Sequence, residues 1–340
     1  MRGREHPLAG LAVPRNLSTS APVPDPVARA TRALCIGIGG GGDVVGALAF
    51  AVWAHAACGL ETVVGGLTWE RRPVDPLPGP RRLGEVVGAE PLNLAVAVAG
   101  PDTTGPGGFA FAEARMAGFL GRPTVLVDPN AGPAAVGRAL ADAARQRGAD
   151  LVVLLDVGGD VLAHGGEAGL ASPLADAVLL AAGPACAAAG VPVLGALFGA
   201  GCDGELKPAE VAERLAELEA TSAPVDRIKL PAELLPRLAA AAVTVPTEAS
   251  AMAIACARGD RGERPIRGGR RLVELTELGG RLCLFDVGAA LAGPARLAAA
   301  LDPDGTLADA DRLLEARGIR TELAYERDAA AAGTVPDPLP

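Results

Sequence analysis

Carboxylate residues follow several apolar, strand-like runs of this sequence, at the points where the runs end. Asp156 and Asp160 follow a central run, and Asp203 follows a later one. Ligands of open parallel sheets bind beyond the carboxyl ends of the strands, so we expect these side chains to surround one crevice. Mg²⁺ is usually held by one or two carboxylates together with substrate phosphates. We therefore predict Asp156, Asp160 and Asp203 as metal ligands, with Asp156 and Asp160 also catalytic.

The stretch from residue 33 to residue 46 predicts an anion-binding turn. It reads Ala-Leu-Cys-Ile-Gly-Ile-Gly-Gly-Gly-Gly-Asp-Val-Val-Gly, an apolar run that opens into four consecutive glycines before a long uncharged helical pattern. Glycines allow positive φ and leave backbone N–H groups open to a ligand, and the following helix directs its positive dipole end there. The residues assigned to this cofactor site are Gly37, Gly39, Gly40, Gly41, Gly42 and Asp43. The alternatives are a tight turn without a ligand and, for Asp43, a local capping role.

The loop that follows Asp156 carries groups suited to proton transfer. His164 and Glu167 lie in it, and we predict both as catalytic acid or base residues, against the alternative of a solvated loop. Ser172, followed by a proline, is typical of a helix start. The N-terminus of that helix would face the same crevice, so Ser172 is added to the cofactor-binding residues.

Residues after the second strand-like run and in the following helical pattern are candidates for holding a substrate. They are Trp69, Glu70, Arg71, Arg81, Glu113 and Arg115. A guanidinium fork binds phosphate or carboxylate with two hydrogen bonds, and Trp69 could stack on a base or sugar. The alternatives are ordinary ion-paired arginines and a half-buried tryptophan at a strand end.

Composition excludes several classes of protein. The net charge of −9 and the pI of about 5.0 argue against a nucleic-acid-binding surface. Hydrophobic residues make up 50% of the chain but aromatic ones only 3%, which predicts a core of Ala, Val and Leu in helix-on-sheet layers. The six cysteines form no C-x-x-C motif and indicate buried thiols in the cytoplasm.

One uncharged run is long enough to span a membrane. It extends from Ala177 to Cys202, but Pro184, Pro192 and several glycines interrupt it. We therefore interpret it as a buried helix (174–189) followed by a buried strand, and we expect no membrane association.

Apolar strand-like runs alternate with helical patterns along the chain, which is the pattern of a parallel sheet built from βαβ units. The strands are expected at 33–38, 61–67, 93–99, 123–127, 150–155, 191–198 and 281–285, with a last one near 319–325. This predicts an α/β fold with an open, mostly parallel, doubly wound Rossmann-like sheet, helices on both faces and a helix-rich C-terminal region. The expected organisation is a disordered leader (1–31), a phosphate-binding domain (32–220), an extension packed on the same core (221–328) and a disordered tail (329–340).

Seven ordered motifs between residues 32 and 325 resemble those of an archaeal-type family of proteins catalogued only as a domain of unknown function. The motifs begin at Gly37 (GIGGGGDVVG), Gly65 (GGLTWER), Asp75 (DPLPGPR), Phe111 (FAEAR), Asp156 (DVGGD), Gly169 (GLASPLAD) and Asp203 (DGEL). The resemblance implies no particular activity.

Three functions of different classes fit these residues. The first is a Mg²⁺-assisted enzyme, transferase or ligase-like, that acts on a phosphorylated or nucleotide substrate such as ATP. The second is an NAD(P)-dependent oxidoreductase in which Glu70 would bind the ribose hydroxyl, although Arg71 and Arg72 beside it would favour a 2′-phosphate. The third is a non-catalytic small-molecule sensor. The partner in each is a small molecule, and a homo-oligomer is possible for an Ala-rich apolar chain.

Overall fold

The computed structural model describes residues 23–333, which form eleven strands and thirteen α-helices. The strands are β1 (Arg32–Gly37), β2 (Glu61–Leu67), β3 (Val87–Pro91), β4 (Val96–Thr104), β5 (Thr124–Val127), β6 (Leu151–Val157), β7 (Val193–Phe198), β8 (Asp226–Lys229), β9 (Gly262–Ile266), β10 (Arg271–Leu275) and β11 (Arg281–Asp286). The helices are α1 (Asp25–Arg29), α2 (Val44–Cys58), α3 (Ala112–Leu120), α4 (Pro133–Gln146), α5 (Pro173–Ala181), α6 (Gly183–Ala188), α7 (Pro208–Ala220), α8 (Leu235–Thr244), α9 (Glu248–Arg258), α10 (Val287–Ala292), α11 (Arg296–Ala299), α12 (Leu307–Ala316) and α13 (Glu322–Ala331).

Nine strands form one sheet in the order β3-β4-β5-β2-β1-β6-β7-β11-β8. Its five central strands, β5-β2-β1-β6-β7, are parallel, while β4 pairs antiparallel with β5 at one side and β11 antiparallel with β7 at the other. The central order is that of a doubly wound fold, with the switch point between β1 and β6. The predicted mostly parallel Rossmann-like sheet is confirmed.

Alternate residues of the central strands face two separate cores. Leu34 of β1 and Val152 of β6 belong to the core on one face, while Cys35 and Val153 belong to the core on the other. Both faces are therefore buried under helices, which is why these strands are continuous apolar runs in the sequence.

The C-terminal third of the described chain shares this sheet. β8 and β11 extend it beyond β7, and Phe285 and Leu314 lie in the same core as residues of β1. Only β9 and β10 form a separate two-stranded hairpin among the described residues.

The strand predicted near 319–325 is wrong, because this segment begins helix α13. Thr321 caps the helix by accepting the N–H of Ala324, and a strand prediction based on a short apolar run cannot detect such a cap. Helix α13 also covers the first residues of the expected tail, and Ala329 is buried. Residues 334–340 lie outside the described residues.

Most of the expected leader, residues 1–22, also lies outside the described residues. Its final part is folded, because Asp25–Arg29 form α1 and Val27 is fully buried.

One apolar segment, Gly41–Cys58, is long enough to cross a membrane by length and composition. However, 67% of it is buried inside the fold, where α2 packs on β1 and β2 and contacts α3 and α8. Helix α2 is therefore a core helix of a globular domain. The uncharged run that begins at Ala177 forms the end of α5, α6 and β7, so the predicted helix followed by a strand is confirmed.

Candidate functional site

The glycine-rich turn joins β1 to α2 at the switch point. Gly40 and Gly41 have φ values of 81° and 52°, in the left-handed region that favours glycine. The N–H of Gly39 donates to Oδ2 of Asp43 (3.0 Å), and the N–H of Gly41 donates to the carbonyl oxygen of Trp69 (3.1 Å). Two of the amides expected to bind a ligand therefore already have protein partners.

A cavity of about 460 Å³ opens beside this turn. This volume lies within the range of small-molecule sites. Of the residues predicted from the sequence, the cavity is lined by Gly39, Gly40, Gly41, Gly42, Asp43, Glu70, Arg71, Arg115, Asp156, Asp160, Ser172 and Asp203. The remaining lining residues are Arg72, Pro73, Val74, Ala112, Val157, Asp176, Glu205, Val245, Pro246, Thr247, Glu248, Ala249, Ile266 and Arg267.

Six carboxylates of the cavity fall into two groups of three. Within each group, one oxygen from every residue lies within 4.8 Å of the others, a spacing that could hold a metal ion. The first group is Asp43, Asp156 and Asp176; the second is Asp160, Asp203 and Glu205. The three predicted ligands therefore lie in two neighbouring groups rather than around one ion.

Backbone amides orient several of these carboxylates. Asp43 accepts the N–H of Gly39 and that of Val157 (3.3 Å), and Asp156 accepts the N–H of Gly159 (2.8 Å). In contrast, Oδ1 of Asp176 is buried and has no hydrogen-bond partner among the described residues. An unpaired buried carboxylate oxygen is costly, so this atom is available to a cation or a ligand.

Glu205 joins the second group to the start of α5. Its carboxylate accepts the N–H groups of Ala171 and Ser172 (both 2.8 Å) and also the hydroxyl of Ser172. The N–H groups of Leu174 and Ala175, in the first turn of α5, donate instead to Glu322, a buried residue of α13. The predicted second place for an anion is therefore occupied by protein carboxylates.

Burial and mutual repulsion raise the pKa values of the clustered carboxyl groups. Burial is the larger cause for Asp43 and Asp203, and it raises the pKa of each to about 7. The pKa values of Asp156, Asp160 and Asp176 lie well above their ordinary value, first through burial and then through the neighbouring carboxylates. A divalent cation would remove this repulsion, so metal binding and proton release are coupled here.

Arginines lie on two sides of the carboxylates. Arg71 donates to the carbonyl oxygen of Gly39 (2.6 Å), and Arg267 lies 3.4 Å from an oxygen of Glu205. Arg115 lines the cavity and is exposed, and its guanidinium has no hydrogen bond or ion pair with the residues that the structure describes, although its charge partly offsets the burial that raises the pKa of the neighbouring Glu70. Arg115 is therefore the lining arginine best placed to bind a ligand without first losing a carboxylate partner.

Two glutamates of α13 hold residues that line or adjoin the cavity, and the sequence analysis does not include either of them. Glu322 accepts the N–H groups of Leu174 (3.0 Å) and Ala175 (2.9 Å) and lies 3.4 Å from Arg71. Glu326, four residues later on the same helical face, accepts hydrogen bonds from Trp69 Nε1 and the N–H of Gly79. Their i, i+4 spacing is the signal that could have identified them, but the sequence analysis predicts a strand near 319–325.

Sequence reasoning also omitted Asp176 and Glu205 from the predicted site. Asp176 ends the motif that begins at Gly169, and Glu205 lies only two residues after Asp203. An acidic residue at such a short spacing in a glycine-containing turn was the signal that could have identified it.

Three predicted substrate-binding residues do not reach the cavity. Trp69 is fully buried, with its indole N–H bonded to Glu326 and its ring covered by Arg71, so it cannot stack on a base. Arg81 forms an ion pair with Asp75 (2.9 Å) and donates to carbonyl oxygens of its own loop. Glu113 is buried against Gly66 of β2, where a Cβ would lie 2.0 Å from its Oε1.

The predicted acid and base residues of the long loop also lie outside the cavity lining, as does Gly37, which ends β1. His164 Nε2 lies 3.1 Å from Glu217 on α7, and Glu167 accepts the N–H groups of His164 and Gly165 and pairs with Arg214. These contacts fold the loop onto α7, so its proton-transfer groups are not brought to the carboxylates.

An open doubly wound sheet with a glycine-rich turn and acidic strand ends at its switch point defines a Rossmann-like α/β protein. The chain belongs to the family described as "Protein of unknown function (DUF1152)", whose model matches residues 34–330. The comparisons found no match among curated proteins and none among solved structures.

Proposed function

We propose that this protein is a Mg²⁺-dependent enzyme, transferase or ligase-like, that acts on a phosphorylated substrate, which includes nucleotides such as ATP. The observation that carries the proposal is the pair of carboxylate groups beside the glycine-rich turn, the first of which includes Asp176 with its unpaired, buried Oδ1. So many buried carboxylates in one cavity would repel a phosphate unless divalent cations lay between them.

The proposed roles follow from position. Asp156 and Asp160 belong to different carboxylate groups, so each would hold a cation that contacts the phosphate oxygens. Arg115 would bind the substrate at the cavity mouth, and the glycine-rich turn would approach the phosphate closely. We also propose that the protein acts in the cytoplasm, because all six cysteines are free thiols and five of them are buried.

No contact favours a dinucleotide. Glu70, the residue expected to bind the ribose, accepts the N–H of Ala112 at the start of α3. The hydrogen bond from Gly41 to the carbonyl of Trp69 joins the glycine-rich turn directly to the end of β2, where the ribose would lie.

The proposal is tested by thermal unfolding of the metal-free protein with added MgCl₂ or MnCl₂, without and with pyrophosphate or ATP. A ligand at a hundred times its Kd stabilises by about 2.7 kcal/mol, so we expect the Tm to rise by about 5 °C. Asp160→Asn should remove most of the metal response, because it keeps the shape of the side chain but removes the charge that a hard cation needs.

The matched control is Asp286→Asn. Asp286 begins a second Asp-Val-Gly sequence, but it ends β11, which runs antiparallel to β7 and so reaches the other edge of the sheet. Its metal response should equal that of the wild type. Two results would exclude the proposed function. One is a wild-type Tm that does not change with either metal at millimolar concentration. The other is binding of NADPH in a fluorescence titration without binding of ATP in the presence of Mg²⁺. Metal-dependent binding of all phosphate compounds without turnover would instead indicate a sensor.

A further inference from the structure

The cavity offers no aromatic surface to a ligand. The chain contains six Phe, two Trp and one Tyr, all within the described residues, and none of them lines the cavity. The nearest in sequence, Trp69, is fully buried beneath Arg71. Proteins that bind nucleobases commonly stack them on aromatic rings, and this site has no ring to provide.

Two lining arginines whose planes could replace an aromatic ring, Arg71 and Arg267, are engaged in other contacts. Arg71 covers Trp69 at 4.6 Å from the ring centroid and bonds Gly39, while Arg267 pairs with Glu205. Each would have to leave a buried carboxylate or a carbonyl oxygen in order to stack on a base.

Part of the cavity wall is aliphatic. Its accessible residues are Pro73 and Val74, which follow β2, and Pro246 between α8 and α9, whereas Val245 and Ile266 are only 1% and 2% exposed. Val74 is 42% exposed, an unusual position for a large apolar side chain in this protein. A ligand that fills the cavity would cover this apolar surface, and the burial is most favourable when the covering group is itself apolar.

We propose that the substrate is the phosphate or diphosphate ester of an aliphatic group rather than a nucleotide. The inference rests on the proposed function of the same cavity. The phosphate lies against the glycine-rich turn and the cations held by the carboxylates. The aliphatic group contacts the wall formed by Pro73, Val74 and Pro246.

Binding constants for three probes in MnCl₂ test this inference: pyrophosphate, n-pentyl diphosphate and ADP. Each buried methylene strengthens binding about fourfold, so burial of two or more should make pentyl diphosphate bind at least about tenfold more tightly than pyrophosphate. ADP should bind no more tightly than pyrophosphate. Tighter binding of ADP than of pentyl diphosphate would overturn the inference, as would equal binding of pentyl diphosphate and pyrophosphate.

Val74→Asn and Leu77→Asn form a matched pair of variants. Both side chains are exposed in the same loop, at 42% and 45%, but only Val74 lines the cavity. Val74→Asn should weaken pentyl diphosphate about fourfold and leave pyrophosphate unchanged, whereas Leu77→Asn should change neither. An equal effect of the two variants on pentyl diphosphate would contradict the assignment of the wall.

These measurements separate the two proposals. If no probe binds in a metal-dependent way, the proposed function fails. If pyrophosphate binds with Mn²⁺ but ADP binds best, the proposed function stands and only the aliphatic substrate is excluded.

Discussion

Replacing Asp203 with asparagine should stabilise the metal-free protein, and more so at high pH. Burial raises the pKa of Asp203 to about 7 from an ordinary value of 3.8. The folded state therefore binds a proton that the unfolded state has already released between these two values. The stability contributed by this group is fully present below pH 3.8 and is lost as the pH rises through about 7.

The size of the effect follows from the two pKa values. A difference of this size corresponds to about 4 kcal/mol at pH 8, and to about 2 kcal/mol at pH 5. Asparagine resembles the protonated form and keeps an oxygen for the N–H of Glu205, which donates to Asp203 at 3.1 Å. It also removes a charge that raises the pKa values of Asp156 and Asp160.

Urea unfolding in EDTA at pH 5 and pH 8 measures this prediction. The variant should exceed the wild type by up to about 4 kcal/mol at pH 8 and by about half as much at pH 5. Mg²⁺ at a hundred times its Kd should reduce this difference at pH 8 by up to about 2.7 kcal/mol, because only the wild type gains the full energy of metal binding. Asp286→Asn, at the exposed start of α10, should stay within about 0.5 kcal/mol of the wild type throughout. A variant that is destabilised equally at both pH values would refute the reasoning and make Asp203 a structural residue of its turn.

Three further predictions concern residues around the cavity. Gly66→Ala should cost about 1–3 kcal/mol in urea unfolding, because its Cβ would lie 2.0 Å from Oε1 of Glu113. Most of this cost should disappear in the double variant with Glu113→Ala, and an additive double-mutant cycle would disprove the clash. Glu322→Ala should destabilise by about 3 kcal/mol, since it leaves the N–H groups of Leu174 and Ala175 and the guanidinium of Arg71 without this carboxylate; unchanged urea unfolding would show that these contacts contribute nothing. His164→Ala should leave the affinities for Mn²⁺ and pyrophosphate unchanged, because His164 does not line the cavity. A tenfold weaker affinity measured by calorimetry would show that His164 belongs to the binding site.

The sheet was predictable because its central strands are buried on both faces. β1, β2 and β6 begin and end close to the residues expected from their apolar runs. Strand β9 was not predicted, because four of its five residues are exposed, and β10 was not predicted, because it is only five residues long and alternates buried with exposed residues. Helix α13 was mistaken for a strand because its short apolar stretch carries no clear period.

Sequence alone determined which residue types lie at the switch point. The glycine-rich turn, Asp156, Asp160 and Asp203 occupy strand ends, and parallel strands necessarily bring their carboxyl ends to one edge of the sheet. Local pattern therefore sufficed to predict that these residues line one cavity.

Only the tertiary structure decided which other side chains join them. Asp176 and Glu205 enter the carboxylate groups, and Glu322 supports Arg71 from a helix about 250 residues later in the chain. His164, in the loop directly after Asp160, turns instead to α7. Side-chain direction depends on packing between elements distant in sequence, and no local spacing of residues encodes that packing.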